Sequence, residues 1–227
     1  MAKGIHRRQA MLALGALGTG SVLSASRLLS GAFGGPLSTA SAEAASCILT
    51  PEQTEGPYYI DDEPFRKNVT EGRPGTPLVL VLRVVNASTC APIPNAVVEI
   101  WHADANGNYS GFNGQSNSTF MRGQQVTGTG GRARFRTVYP GWYTGRTTHI
   151  HVKVHAGGST VHTGQLYFDD TITDQVYAAQ PYAARGTRDT DNASDGIYRN
   201  GGASSLLTLT PRTNGWQGRL TMGVQQP

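Results

Sequence analysis

The sequence predicts an all-β fold, an antiparallel β-sandwich, on three observations. Strand-length runs, valine-rich or alternating in polarity, recur along the chain; Pro-Asn, Asn-Gly and Pro-Gly turn signals separate them; no segment keeps a helical period over a useful length. About seven such runs fit two packed sheets.

Taken in order, residues 47–69 carry several prolines and Gly56 and read as an irregular arm. Pro77 to Val85 is a nearly continuous apolar run and reads as a buried strand. Pro94-Asn95 marks a turn before a second strand, Ala96 to Trp101, and Asn106-Gly107 places Tyr109 just beyond a strand end. Residues 110–129 are polar and glycine-rich and read as one long loop, of the kind that usually serves function. Arg132 to Val138 alternates, with Arg132, Arg134 and Arg136 outward and Ala133 and Phe135 inward. The stretch YPGWYTGRTTHIHVKVH, residues 139–155, follows; Thr160 to Phe168 is the next strand, residues 169–203 read as loop, and Leu206 to Thr210 and Arg219 to Val224 close the fold.

Residues 1–42 are set apart from the domain expected over residues 43–227. Arg7-Arg8 precede an apolar stretch from Met11 to Leu23, no acidic residue occurs before Glu43, and Ala40-Ser41-Ala42 fits a cleavage site. This pattern predicts a twin-arginine-type signal peptide and a secreted protein. The apolar run, broken by Gly15, Gly18 and Gly20, is too short for a transmembrane segment, which needs about 20 apolar residues. Four of the 19 basic residues leave with the signal, so the mature chain is formally neutral and its composition gives no support to nucleic-acid binding. In an oxidising compartment Cys47 and Cys90 are expected to pair, tying the arm to the strand region.

The chemistry concentrates at residues 139–155. In a strand, His149 and His151 share one face while Ile150, Val152 and Val154 take the other. Two imidazoles on the polar face suggest a metal site on the outer face of a sheet, under long loops. Tyr143 lies six residues before His149, and Tyr109 lies at another strand end. A phenol with a pKa near 10 ligates most divalent ions poorly at neutral pH, whereas Fe(III) is hard enough to hold a phenolate. Two imidazoles, two phenolates and a hydroxide would neutralise Fe(III); the same set suits Fe(II) or Zn(II) badly.

Taken together, TEGPYY, PNAVVEIWHADANGNYSG, FMRGQQVTGTGGRARFRTVYPGWYTGRTTHIHV and GQLYFDD resemble the intradiol ring-cleaving catechol dioxygenases, in particular exported single-domain bacterial members with a core like that of protocatechuate 3,4-dioxygenase. The resemblance runs from about Thr50 to the C-terminus. It implies a non-haem Fe(III) held by Tyr109, Tyr143, His149 and His151, and cleavage of catechol-type rings between their hydroxyls with O2, giving cis,cis-muconate-type diacids. It also implies that Tyr143 yields its place to substrate and takes a proton, that Arg146 stabilises the anionic ring, and that Gln165 lines the same pocket. Tyr58 and Tyr59 resemble residues at the substrate mouth, and Trp101 reads as pocket wall or core. His102 reads as a neighbour of the site or a surface residue. Thr144-Gly145 departs from the bulky residue of protocatechuate-type members and implies a more open wall. Small catechols and O2 are the expected partners, and a homodimer is compatible with the sequence.

Two other readings compete. The runs PIPNAVVEI, TGTGGRARF and VYPGWY also resemble non-catalytic transthyretin-like or carboxypeptidase-associated β-sandwich modules, which have no need of Tyr109, Arg146, His149 and His151 together. A copper or zinc protein built on His-x-His would call for further histidine or cysteine ligands.

Overall fold

The computed structural model describes residues 47–61 and 63–226. Its strands are β1 (Pro77–Asn86), β2 (Val97–Trp101), β3 (Arg122–Val126), β4 (Arg132–Val138), β5 (His149–Ala156), β6 (Ser159–Tyr167), β7 (Thr208–Arg212) and β8 (Gly215–Val224); one helix, α1, spans Asp170–Tyr177. Four strands form a first sheet, ordered β4-β1-β8-β7, and four a second, ordered β3-β2-β5-β6. The expected sandwich is present with one departure in strand direction: β1 and β8 run parallel, from Leu78 opposite Trp216 to Asn86 opposite Val224.

Alternation builds the core. Leu78, Leu80, Leu82 and Val84 of β1 and Ala133 and Phe135 of β4 point inward from the first sheet. Val98 and Ile100 of β2 and Ile150, Val152 and Val154 of β5 meet them from the second. Each such aliphatic side chain contributes about 1.5–3 kcal/mol by leaving water.

Three sequence expectations are corrected. The expected loop 110–129 contains β3, whose polar sequence RGQQV hides an edge strand. Gly123 is required there because a Cβ would lie 2.8 Å from Val69 Cγ1. The expected loop 169–203 contains α1. That helix is only eight residues long, so local chemistry sustains it: Asp169 caps its N-terminus by accepting from the Ile172 amide, and Arg188 binds Asp170 and Asp174 on its outer side. The last strand begins at Gly215, not Arg219; the eighth strand, beyond the seven expected, is β3.

Cys47 and Cys90 form the expected disulfide, with Cα atoms 5.2 Å apart, and it ties the start of the arm to the turn after β1. The signal segment expected over residues 1–42 lies outside the described residues. No described helix is long and apolar enough to cross a membrane.

Candidate metal and substrate site

The outer face of the second sheet is not left to solvent. The arm, residues 51–66, lies over it: the Gln53 amide donates to Thr163 O, the Gln124 amide to Pro64 O, and the Arg66 amide to Gln124 O. From the sheet, Gln165 Nε2 donates to Thr54 O, and the Tyr167 hydroxyl donates to Gln53 Oε1. Beneath this cover His149 and His151 are only 3% and 1% exposed, although alternation turns them away from the core. The cover is close-fitting, and Gly56, with φ +70°, is where it touches: a Cβ there would stand 3.2 Å from His151 Cε1.

The two imidazoles face one another, Nε2 to Nε2 at 3.1 Å, and Tyr143 Oη lies 3.2 Å from His149 Nε2. His149 Nδ1 donates to Thr147 O, so in the neutral ring its Nε2 carries the lone pair. The ring of Tyr109 centres 5.7 Å from Tyr143 and 6.2 Å from His151. Its buried hydroxyl lies beside that of Tyr143 without a well-formed hydrogen bond. Ligand bonds of about 2.0–2.1 Å to one metal ion set adjacent donor atoms about 2.9–3.3 Å apart. The observed contacts have that spacing, and lone pairs facing each other in a buried place are what a cation would relieve. Among the described residues no three His, Cys, Asp or Glu side chains gather as a ligand group, so the two phenols complete any four-donor set here.

Electrostatics keep all four donors neutral. Burial, then the Arg146 guanidinium, pushes His149 down to about 3, and burial and His149 hold His151 well below its ordinary value. Burial lifts the Tyr109 phenol well above its usual value. Tyr143 is raised too, with Arg146 opposing that rise. A weakly charged ion could not ionise such phenols, and a trivalent one could.

Arg146 is fixed on two sides. Its Nε donates to Asp195 Oδ2 at 2.8 Å and its Nη2 to Gln165 Oε1 at 2.6 Å. Asp195 also accepts from the amides of Thr147, Ile197 and Tyr198. Burial alone would raise that carboxyl, but the Tyr198 and Thr147 amides and Arg146 outweigh it and hold it below the ordinary carboxylate range.

Aromatic rings wall the site. Trp101 stacks on His151 at 4.9 Å and 5°, and Tyr58 stacks on Tyr109 at 4.2 Å and stands edge-on to Tyr143. Tyr59 sits one layer out, against Trp101, with its ring under the Lys153 ammonium, so it is not beside the donor atoms. Tyr139, four residues before Tyr143, is in the core with its hydroxyl bonded to Thr173. His102 is not at the surface: it is fully buried between Ala103 O and Thr137 Oγ1. His155 and His162 pair with Glu99 and Glu52 at the margin.

Two further supports had no reading in the sequence. Arg122, 1% exposed, pairs with Glu63, donates to the carbonyls of Tyr58 and Ser110, and so pins arm, loop and β3 together. Its only signal is an arginine in an otherwise featureless polar run. Asp195, in a loop of small polar residues, gives none.

A family model described as Dioxygenase matches residues 54–196. An intradiol ring-cleavage dioxygenase from Tetranychus urticae superposes with a TM-score of 0.76 and 35% identity, covering 79% of this chain and 95% of that one. A chlorocatechol 1,2-dioxygenase of Cupriavidus pinatubonensis is 33% identical over 143 residues, 53% of this chain and 56% of the relative. The catechol 1,2-dioxygenase of Acinetobacter baylyi is 32% identical over 142 residues, 52% of this chain and 45% of that protein. The chain thus spans about half the length of the curated relatives it matches. With a family match over most of its length and the same sandwich, the chain belongs to the intradiol ring-cleaving dioxygenase family.

Proposed function

We propose that the protein cleaves catechol-type rings between the two hydroxyl-bearing carbons, inserting both atoms of O2 to give a cis,cis-muconate-type diacid, with non-haem Fe(III) held by Tyr109, Tyr143, His149 and His151. The convergence of two neutral imidazoles and two phenols at ligand spacing carries this reading. Fe(III), when bound, supplies a hard Lewis acid and one-electron acceptor for a catecholate.

The chain's own residues divide the remaining work. Tyr143 is the more exposed phenol, on a turn opened by Gly145, and is the one able to move aside and hold a substrate proton at Oη. Tyr109 is buried under Tyr58 and stays in place. Arg146, aimed by Asp195 and Gln165, meets the negative charge that grows on the ring as its hydroxyls are deprotonated. Trp101, fully buried between His151 and Tyr59, keeps water from behind the imidazole, and the half-buried Tyr58 offers apolar ring surface to an aromatic substrate.

Export by the twin-arginine route belongs to the same proposal, and the disulfide fits an oxidising compartment. The test is colour together with oxygen consumption. Purified protein should contain iron, absorb in the visible through phenolate-to-Fe(III) charge transfer, and consume O2 with a panel of catechol, 4-methylcatechol, protocatechuate, hydroxyquinol and caffeate-like compounds. A colourless protein that stays inert with every catechol after iron loading would be a binding module instead.

A further inference from the structure

The outer face of the first sheet carries a second, unrelated set of charges. Outward positions there are Arg132, Arg134 and Arg136 on β4, Arg83 on β1, Arg219 on β8 and Arg212 on β7. None of these six makes an ion pair among the described residues, whereas Arg66, Arg73, Arg122, Arg146 and Arg188 all do. Arg83 stands directly opposite Arg132 across the antiparallel pair, an arrangement of like charges that weakens a sheet. Arg83 Nε is buried without a partner. Arg132, Arg134 and Arg136 follow one another at every second residue, about 6.8 Å apart. A formally neutral mature chain has gathered these cations on the side away from the iron site.

Uncharged donors lie between them. Thr221 is opposite Arg83, Thr208 is opposite Arg219, and Gln217 accepts from Arg212 and Arg219 through Oε1, which leaves its amide N–H groups free to donate. A cleft of about 320 Å³ runs among Arg83, Arg132, Arg219, Thr208 and Thr221 over Val81. Of the large exposed apolar residues, Ile60, Phe65 and Val126 are on other elements, and Ile48 and Leu49 border the face only at its Thr221 end, while no aromatic platform for bases lies among the arginines.

We infer that this arginine face is a docking surface for an acidic polysaccharide, a polymer in which carboxylates alternate with hydroxyls. Guanidinium groups bind carboxylates through paired hydrogen bonds, and the intervening threonine and glutamine groups suit sugar hydroxyls. The surface is separate from the ring-cleaving site and does not depend on that assignment.

The experiment measures retention of the purified protein on immobilised polygalacturonate as a function of salt. The wild type should be retained at low salt, released as salt screens the charges, and not retained on cellulose. The variant R83Q/R132Q/R134Q/R219Q should bind at least about tenfold more weakly. Its circular dichroism and O2 uptake with soluble catechol should be unchanged, and the matching lysine variant should recover part of the binding. Undiminished binding by the folded glutamine variant would overturn the inference. So would tighter binding, at the same ionic strength, to phosphatidylserine-containing vesicles or to a single-stranded oligonucleotide.

Discussion

The two sheets are built by the same alternation, yet their outer faces have opposite fates. On the first sheet, Arg132, Arg134 and Arg136 point out and stay in water. On the second, His149, His151 and Gln165 also point out, but an irregular arm lies over them and they are buried. The difference is not in the strands. A polar sheet face becomes a chemical site when something non-regular covers it, because cover removes water, holds imidazoles neutral and makes each unpartnered donor costly.

Substitutions on the two faces should therefore behave unlike one another. The largest effect is expected at the covered face. His149→Ala or Tyr109→Phe should lose bound iron and cut O2 uptake with catechol by more than about 100-fold, a loss read by metal analysis and the visible spectrum. Next is the fastening of the cover: Arg122→Met leaves Glu63 buried without its partner and should cost about 3–5 kcal/mol in urea unfolding. A smaller loss with increased proteolysis of residues 51–66 would mean that the arm is held mainly elsewhere. Replacing Cys47 and Cys90 by serine opens a loop with a sequence separation of 43 and should cost about 2–4 kcal/mol.

Asp195→Asn should lower turnover about tenfold while iron stays bound, because Arg146 loses its aim and not its charge. It should also alter the acid limb of stability. The Asp195 carboxyl is held below the ordinary carboxylate range, so its contribution is present above that range and is lost as pH falls through it towards the depressed value. Wild type minus variant stability should shrink over that interval. The smallest effect belongs to the open face: Arg134→Gln should change stability by no more than about 0.5 kcal/mol. A large loss there would abolish the contrast between the two faces.

The same contrast explains what the sequence made legible. Apolar runs and turn signals located β1, β2 and β6, and period-2 alternation located β4 and β5 and turned His149 and His151 to one face. Position at strand ends and phenol chemistry singled out Tyr109 and Tyr143, family resemblance added Arg146 and Gln165, and the fold brings the two phenols together and Arg146 onto Gln165. The polar strand β3 and the short helix α1 were hidden, since each is sustained by side-chain partners distant in sequence or by a cap, and neither is marked by a run of apolar residues. Tyr58 and Tyr59 look equivalent in a string of letters. Backbone direction separates them, one against Tyr109 and the other against Trp101 and Lys153. Asp195 and Arg122 act only through three-dimensional neighbours, which no local pattern encodes.

The covering arm also has a temporal meaning. It comes early in the chain, but Gln165 and Tyr167, which hold it, are 111 and 114 residues further on. Synthesis therefore delivers the roof long before the floor, and the roof cannot settle until β6 has joined the second sheet. Contacts of such long range are slow to form. In refolding, protection of the Gln53 amide from hydrogen exchange should come after that of β5 and β6, which pair with one another as a hairpin. On the proposed function, iron supplied during refolding, before the Gln53 amide is protected, should be taken up faster than iron added to the folded apoprotein.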